Sequence, residues 1–309
     1  MWYFAAKRML LFLPTLLGIT IITFILMQAL PGDPVESMAG ERATAETIER
    51  IKAELGHNKP LPVQYALYLK LIATGDMGRS VYTNRKVSDD LLQKFPNTVK
   101  LALAAMLFAS FIGIGLGVIA AVNRDTVWDR LVTLLSVGGI SVPVFWLGLA
   151  LMLVFSLHLR WLPPSGMGNG SLAYIVLPAI TLGTFSLAYI ARVTRSSMLE
   201  SLSQPYIEAA RAKGLSETTV VLKHALKNSL IPVVTLIGLD LGSYLNGAVL
   251  TETIFGWDGL GRYALDGILK RDYPVIMGVV LFGALIFVTI NLIVDISYHF
   301  LDPRVRAKK

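Results

Sequence analysis

Residue types that usually carry chemistry are sparse in these 309 residues. With no cysteine, the chain can form no disulfide, thiol nucleophile or thiolate-held metal site. The four histidines, His57, His158, His224 and His299, lie far apart in sequence, and no His-Glu-x-x-His pair occurs. Neither a Gly-x-Ser-x-Gly elbow nor a Gly-x-x-x-x-Gly-Lys-Ser/Thr phosphate loop is present, so no catalytic residue, metal or bound cofactor is expected on this chain. One candidate of another kind is Asp240, inside a long apolar run. An ionised carboxylate there is costly and by default marks function. It could face a translocation pathway and meet an amino group, or sit protonated or paired where helices meet. Asn246, one and a half turns further on, is a second pathway candidate. A second constellation is Ser203-Gln204-Pro205-Tyr206-Ile207-Glu208-Ala209-Ala210-Arg211-Ala212-Lys213-Gly214, where small residues alternate with charges. Gly113, Gly115 and Gly117 alternate within another apolar run, which suits close helix packing and not dinucleotide binding.

The elements that position these residues are set by composition. Hydrophobic residues make up 54% and charged residues 16%, with a mean hydropathy of +0.61, more apolar surface than one soluble core needs. The net charge of +7 is spread between apolar segments and forms no basic stripe, which argues against nucleic acid as a partner. Apolar runs at about Met9–Leu30, Val99–Val122, Leu131–Leu157, Tyr174–Val193, Leu230–Thr251 and Val275–Phe300 reach the ~18 to 20 residues that cross a bilayer as a helix. The expected fold is therefore an all-α polytopic membrane protein with six transmembrane helices. The first run follows Lys7 and Arg8 but is too long for a signal-peptide core, and is expected to be retained. Pro143 should kink the third span and free a carbonyl.

An even number of spans puts both termini on one side. That side carries Lys7, Arg8, Arg124, Arg130, Arg192, Arg195, Arg211, Lys213, Lys223, Lys227 and the basic C-terminus, whereas the short opposite connections carry only Arg160, Arg262, Lys270 and Arg271. Positive charge collects on the cytoplasmic side, so both termini are expected there. The chain then divides into an N-terminal tail and first span (1–30), an extracytoplasmic segment (31–98) and a five-helix core (99–309) with a cytoplasmic hairpin at about 194–229. In the extracytoplasmic segment Thr44 should cap a helix bearing Ile48, Ile51 and Leu55 and stopped by Gly56, and a second helix should cover Gln64–Ile72. In the hairpin Ser203 should cap, Pro205 fits a first turn, Gly214 stops the helix and Ser216 starts another to about Lys227. The small Ala209, Ala210 and Ala212 would let the first helix lie deep in a partner's groove, leaving Glu208, Arg211 and Lys213 for orienting ion pairs. A merely solvated loop is the plainer reading of the same residues.

Glu208-Ala209-Ala210, three residues, then Gly214 resembles the signature of permease subunits of bacterial ABC importers, whose coupling helices dock on separate ATP-hydrolysing subunits. The common pattern places a proline soon after the glycine; here it is delayed to Pro232, which is similar to the dipeptide/oligopeptide branch, a branch that also includes nickel and glutathione permeases. Leu30-Pro31-Gly32-Asp33-Pro34, Gly75-Asp76-Met77-Gly78-Arg79-Ser80, Ala191-Arg192-Val193-Thr194-Arg195-Ser196-Ser197-Met198, the run Thr251–Arg262 and Arg271-Asp272-Tyr273-Pro274 resemble the same branch. The resemblance implies a multi-pass protein of the bacterial cytoplasmic membrane, with Glu208, Ala209, Ala210, Arg211 and Gly214 coupling to the ATPase. It also implies a second homologous permease, two ATP-binding subunits carrying ATP and Mg, and an extracytoplasmic solute-binding protein. The cargo would be dipeptides or oligopeptides, or else nickel complexes, glutathione or sugars. An ion-coupled secondary transporter using Asp240 is the rival from a different class.

Overall fold

Backbone polar groups in a bilayer can be satisfied within a single segment only by a helix, and the described residues of this chain are helical along most of its apolar runs. The computed structural model describes residues 14–25, 44, 49, 52 and 59–301, without the side chains of 169 and 294–301. Among these residues there is no strand, only an isolated antiparallel bridge between Arg79 and Lys86. In chain order the helices are α1 (Pro14–Ile25), α2 (Leu61–Ala73), α3 (Val87–Val122), α4 (Val127–Ser141), α5 (Val144–Leu151, continuing as a π-helical stretch to His158) and α6 (Ala173–Leu202). They are followed by α7 (Pro205–Ala212), α8 (Glu217–Leu245, with a π-helical stretch at Val220–Ala225), α9 (Val249–Ile254), α10 (Leu260–Lys270) and α11 (Tyr273–Leu301).

Among the described residues four helices, α3, α6, α8 and α11, are long and apolar enough to span a membrane, and α4 with α5 makes a fifth if that pair is one span. Of the expected first span, the described part is Pro14–Ile25. The third span differs from a kinked rod: α4 and α5 meet at 105°. Val142, pressed out of the helical region by the proline that follows it, has ψ 125, and Pro143 has ψ 131. Two successive extended residues end one helix and start another in a new direction.

The sequence began the second span at Val99, beyond Pro96, yet α3 starts at Val87 and runs through that proline. Tertiary contacts hold it there. Lys94 pairs with Asp258, the Asn97 side chain donates to the Asp258 carbonyl at 2.8 Å, and the Leu260 amide donates to the Thr98 hydroxyl at 2.8 Å. Asp89 and Asp90 in the first turn complement the positive helix end. The helix expected at Gln64–Ile72 is α2, whereas the one expected after Thr44 lies outside the described residues apart from Thr44, Glu49 and Lys52.

The described chain forms two compact units. One gathers the residues up to Thr98 with Leu245–Val249 and Asp258–Leu292. In it Phe24, Tyr68 and Leu281 form a buried cluster, and the Ser80 hydroxyl donates to Asp272 at 2.6 Å. Tyr263 donates to Asp90 at 3.2 Å, and burial, reinforced by that carboxylate, pushes the phenol above its ordinary range. The second unit gathers Val99–Tyr244, Leu250–Trp257 and the residues from Ile293. In it α3 and α6 approach closely. Gly113 faces the Leu187 carbonyl and Ile190, Gly117 faces the Ala191 carbonyl and Thr194, and Gly183 of α6 faces the Ala105 carbonyl in return. Gly115 meets nothing, so the working spacing is four residues, one face of a helix.

Candidate functional site

The hairpin is built from α6, α7 and the start of α8. α6 runs to Leu202, well past the expected Val193, so the turn into α7 is short. The Ser203 hydroxyl turns back to the Glu200 carbonyl at 2.8 Å, and the residue before α7 is Gln204, whose side chain makes no capping bond, with Pro205 in the first turn. Gly214 has φ +76, a conformation a β-carbon disfavours, and its amide closes on the Arg211 carbonyl at 2.9 Å. Ser216 is extended and starts α8, which does not stop at Lys227 but continues into the membrane-length helix. The second arm of the hairpin and the fifth span are therefore one rod.

Two faces of α7 have opposite fates. Ile207 and Ala210 are buried against Ala121 of α3, Met198 of α6, and Val220 and Ala225 of α8. Glu208, Ala209, Arg211 and Ala212 are exposed, as are Lys213 and Gly214 beyond them. Ala210 thus serves this chain's own core, while Ala209 leaves a flat spot on the outer face. Arg211 grips Glu217 with two bonds, 2.8 and 3.2 Å, tying the hairpin arms together. Hydrogen bonding to Glu217 holds the Arg211 guanidinium above its ordinary range. Glu208 and Lys213 form no salt bridge among the described residues, and they remain as outward charges beside Ala209.

In the same unit the Ser186 hydroxyl of α6 donates to Asp240 of α8. Ser186 also lies 2.7 Å from the Tyr244 hydroxyl, which donates to the Leu182 carbonyl at 2.9 Å. Asp240, Ser186 and Tyr244 thus make a polar cluster bridging two membrane-length helices. Sequence reasoning missed its other two members, although Tyr244 stands one turn beyond Asp240 and Ser186 interrupts an apolar run. Asn246 lies just past the end of α8 at Leu245, in the other compact unit, where Gly283 abuts it. Two buried acids of this unit were not singled out by the sequence. Glu252 is fully buried in α9, and Asp129 of α4 accepts two bonds from Arg195 of α6, at 2.5 and 2.7 Å. No group of histidine and carboxylate side chains suited to a metal occurs among the described residues.

Residues 113–307 match the model of the binding-protein-dependent transport system inner membrane component, and residues 1–102 match that of the N-terminal part of the membrane component of such systems. The chain is 42% identical to the dipeptide transport system permease protein of Escherichia coli (strain K12), over 100% of both chains. It is 41% identical to the corresponding dipeptide permease of Alkalihalophilus pseudofirmus, over 98% of this chain and 99% of that one. Identity to the glutathione transport system permease protein of Salmonella typhimurium is 43% over 99% of each chain. Among solved structures, the inward-facing MetNI methionine ABC transporter matches with a TM-score of 0.57 at 21% identity, covering 69% of this chain and 96% of that chain. At that identity the likeness speaks to fold alone.

Proposed function

This chain belongs to the family of binding-protein-dependent transport system inner membrane components, and from that membership we propose that it is the permease subunit of an ATP-driven importer of dipeptides and other short peptides. The observation that carries the reading is identity of 41 to 44% over nearly the whole chain to permeases named for dipeptide, di/tripeptide and glutathione transport. In this reading the chain crosses the bacterial inner membrane six times with both termini in the cytoplasm. It pairs with a second permease and receives solute from an extracytoplasmic binding protein. ATP and Mg belong to two separate ATP-binding subunits, which supply the hydrolysis this permease does not perform.

The hairpin supports a mechanism of coupling. The outer face of α7, with Glu208, Ala209 and Gly214, sits in a groove of the ATP-binding subunit; the inner face, with Ile207 and Ala210, rests on α3, α6 and α8. Arg211 and Glu217 keep the two arms from sliding apart. Movement of the groove is then delivered to α6 and α8, each of which enters the hairpin without a flexible linker. Asp240, Ser186 and Tyr244 join those two helices inside the membrane, so a rigid displacement there alters the surroundings of a carboxylate suited to a peptide's amino group. Asn246 is proposed as a further pathway residue in the other unit.

Reconstitution into proteoliposomes with the two ATP-binding subunits, the second permease and the binding protein tests the reading. ATP-driven accumulation of a labelled dipeptide that depends on the binding protein is expected. Accumulation driven by a proton or sodium gradient without ATP would replace the reading with an ion-coupled transporter.

A further inference from the structure

Between α4 and α6 lies a cavity of about 350 Å³ that neither the hairpin nor the Asp240 cluster forms. Its walls are of two kinds: Thr133, Ser136, Arg192, Arg195 and Ser196 contribute hydroxyls and guanidinium groups, and Val137 and Ile140 contribute an apolar flank. Some of the polar groups are already committed. Ser136 donates to the Val132 carbonyl at 2.8 Å, and Arg195 is held by Asp129, whose carboxylate also accepts the Asp125 amide at 3.0 Å. Arg195 and Asp129 together are close to neutral.

Arg192 is different. It lies three residues before Arg195 on the same helix face, is exposed, and has no salt bridge among the described residues. Ser196, one turn beyond Arg192, and Thr133 across the cavity have hydroxyls with no hydrogen-bond partner among the described residues. One uncompensated guanidinium and two hydroxyl donors around a cavity match a singly charged oxyanion.

The cavity also has a depth in the membrane. Trp128, 63% exposed, precedes Thr133 on α4 by five residues, about 7 to 8 Å along the axis, and exposed tryptophan favours the headgroup level. Val137, on the apolar flank of the cavity, is 52% exposed, a surface that acyl chains would cover. A soluble anion would use the polar wall only; an amphiphile uses both. We propose that this cavity binds the headgroup phosphate of an anionic phospholipid, gripped by Arg192, Thr133 and Ser196, with its chains along Val137 and Ile140. Basic pockets between membrane helices on the cytoplasmic side are suited to such lipids. The proposal needs a membrane-embedded chain but not any particular cargo, so failure of peptide uptake would leave it standing.

The test is native mass spectrometry of the complete detergent-solubilised transporter, titrated separately with phosphatidylglycerol, phosphatidylcholine and inorganic phosphate. Phosphatidylglycerol should bind at one site per copy of this chain, at least tenfold more tightly than phosphatidylcholine, and inorganic phosphate should not be retained. Arg192→Gln should weaken that binding about tenfold and Thr133→Ala with Ser196→Ala several-fold. Arg130→Gln, which removes the same charge from an exposed position outside the cavity, should leave it unchanged. Equal losses from Arg192→Gln and Arg130→Gln would mean diffuse surface attraction and overturn the site. So would equal binding of phosphatidylcholine, retention of phosphate alone, or no tightly bound lipid in the assembled complex, the last meaning that a neighbouring subunit fills the cavity.

Discussion

Replacing Gly117 by alanine places a methyl carbon 2.5 Å from Thr194 Cβ, 2.6 Å from the Ala191 carbonyl oxygen and 2.9 Å from Thr194 Cγ2. Ordinary contact is about 3.5 to 4.0 Å, so α3 and α6 must separate by roughly 1 Å. The carbonyl belongs to the α6 backbone and cannot rotate aside. Overpacking of this kind costs about 1–3 kcal/mol, and a backbone contact belongs at the upper end of that range. Alanine's helical preference over glycine returns about 1 kcal/mol, leaving a net loss of about 2 kcal/mol. Gly115→Ala has nothing within 4 Å, so it keeps the gain of up to about 1 kcal/mol without the clash. Unfolding in mixed micelles with rising dodecyl sulfate, followed by helical circular dichroism, compares the two variants directly. A Gly117→Ala protein as stable as Gly115→Ala would refute the close approach of α3 and α6.

Other consequences follow from the hairpin and the polar cluster. Ile207→Ala removes a fully buried side chain from beneath α7, at a cost of about 2–5 kcal/mol, and should speed proteolytic cleavage at 203–216; an unchanged cleavage rate would count against the inner-face packing. Gly214→Val forces a β-branched residue to φ +76, a penalty of at least about 1–2 kcal/mol, and should reduce retention of the ATP-binding subunits on purification; full retention would show that the turn relaxes without consequence. Asp240→Asn keeps an acceptor for Ser186 but loses the charge, so uptake of peptides with a free amino group should fall more than uptake of amino-blocked ones. Unchanged uptake of every peptide would remove Asp240 from the pathway.

Much of this was legible in the sequence because membrane helices announce themselves by length and apolarity. The hairpin's punctuation was legible too, since Pro205 and Gly214 act through local backbone geometry. What escaped depended on distant partners. Nothing near Pro96 reveals that Asp258 and Leu260 support a helix through it, so α3 was expected to start too late. Pro143 pointed to a kink, but the 105° turn also uses the extended Val142 before it. Alanine periodicity could not show that Ala210 faces inward while Ala209 faces out, because the deciding contacts are Met198, Val220 and Ala225. That Arg211 also ties the two hairpin arms together through Glu217 could not be read from its spacing. The Asp240 cluster was half visible: the carboxylate stood out against apolar neighbours, but Ser186 is brought to it only by the packing of α6 on α8.

The central claim is that the outer face of α7 transmits ATP hydrolysis to the membrane helices, and Ala209→Arg addresses it most directly. Ala209 is exposed and touches none of the buried hairpin core, so the variant should fold, insert and bind its partner permease as the unaltered chain does. Measured in proteoliposomes containing the complete transporter, ATP-driven dipeptide uptake should fall to background because the arginine cannot enter the partner's groove. Uptake at the unaltered rate, with the variant present in normal amount, would contradict the account.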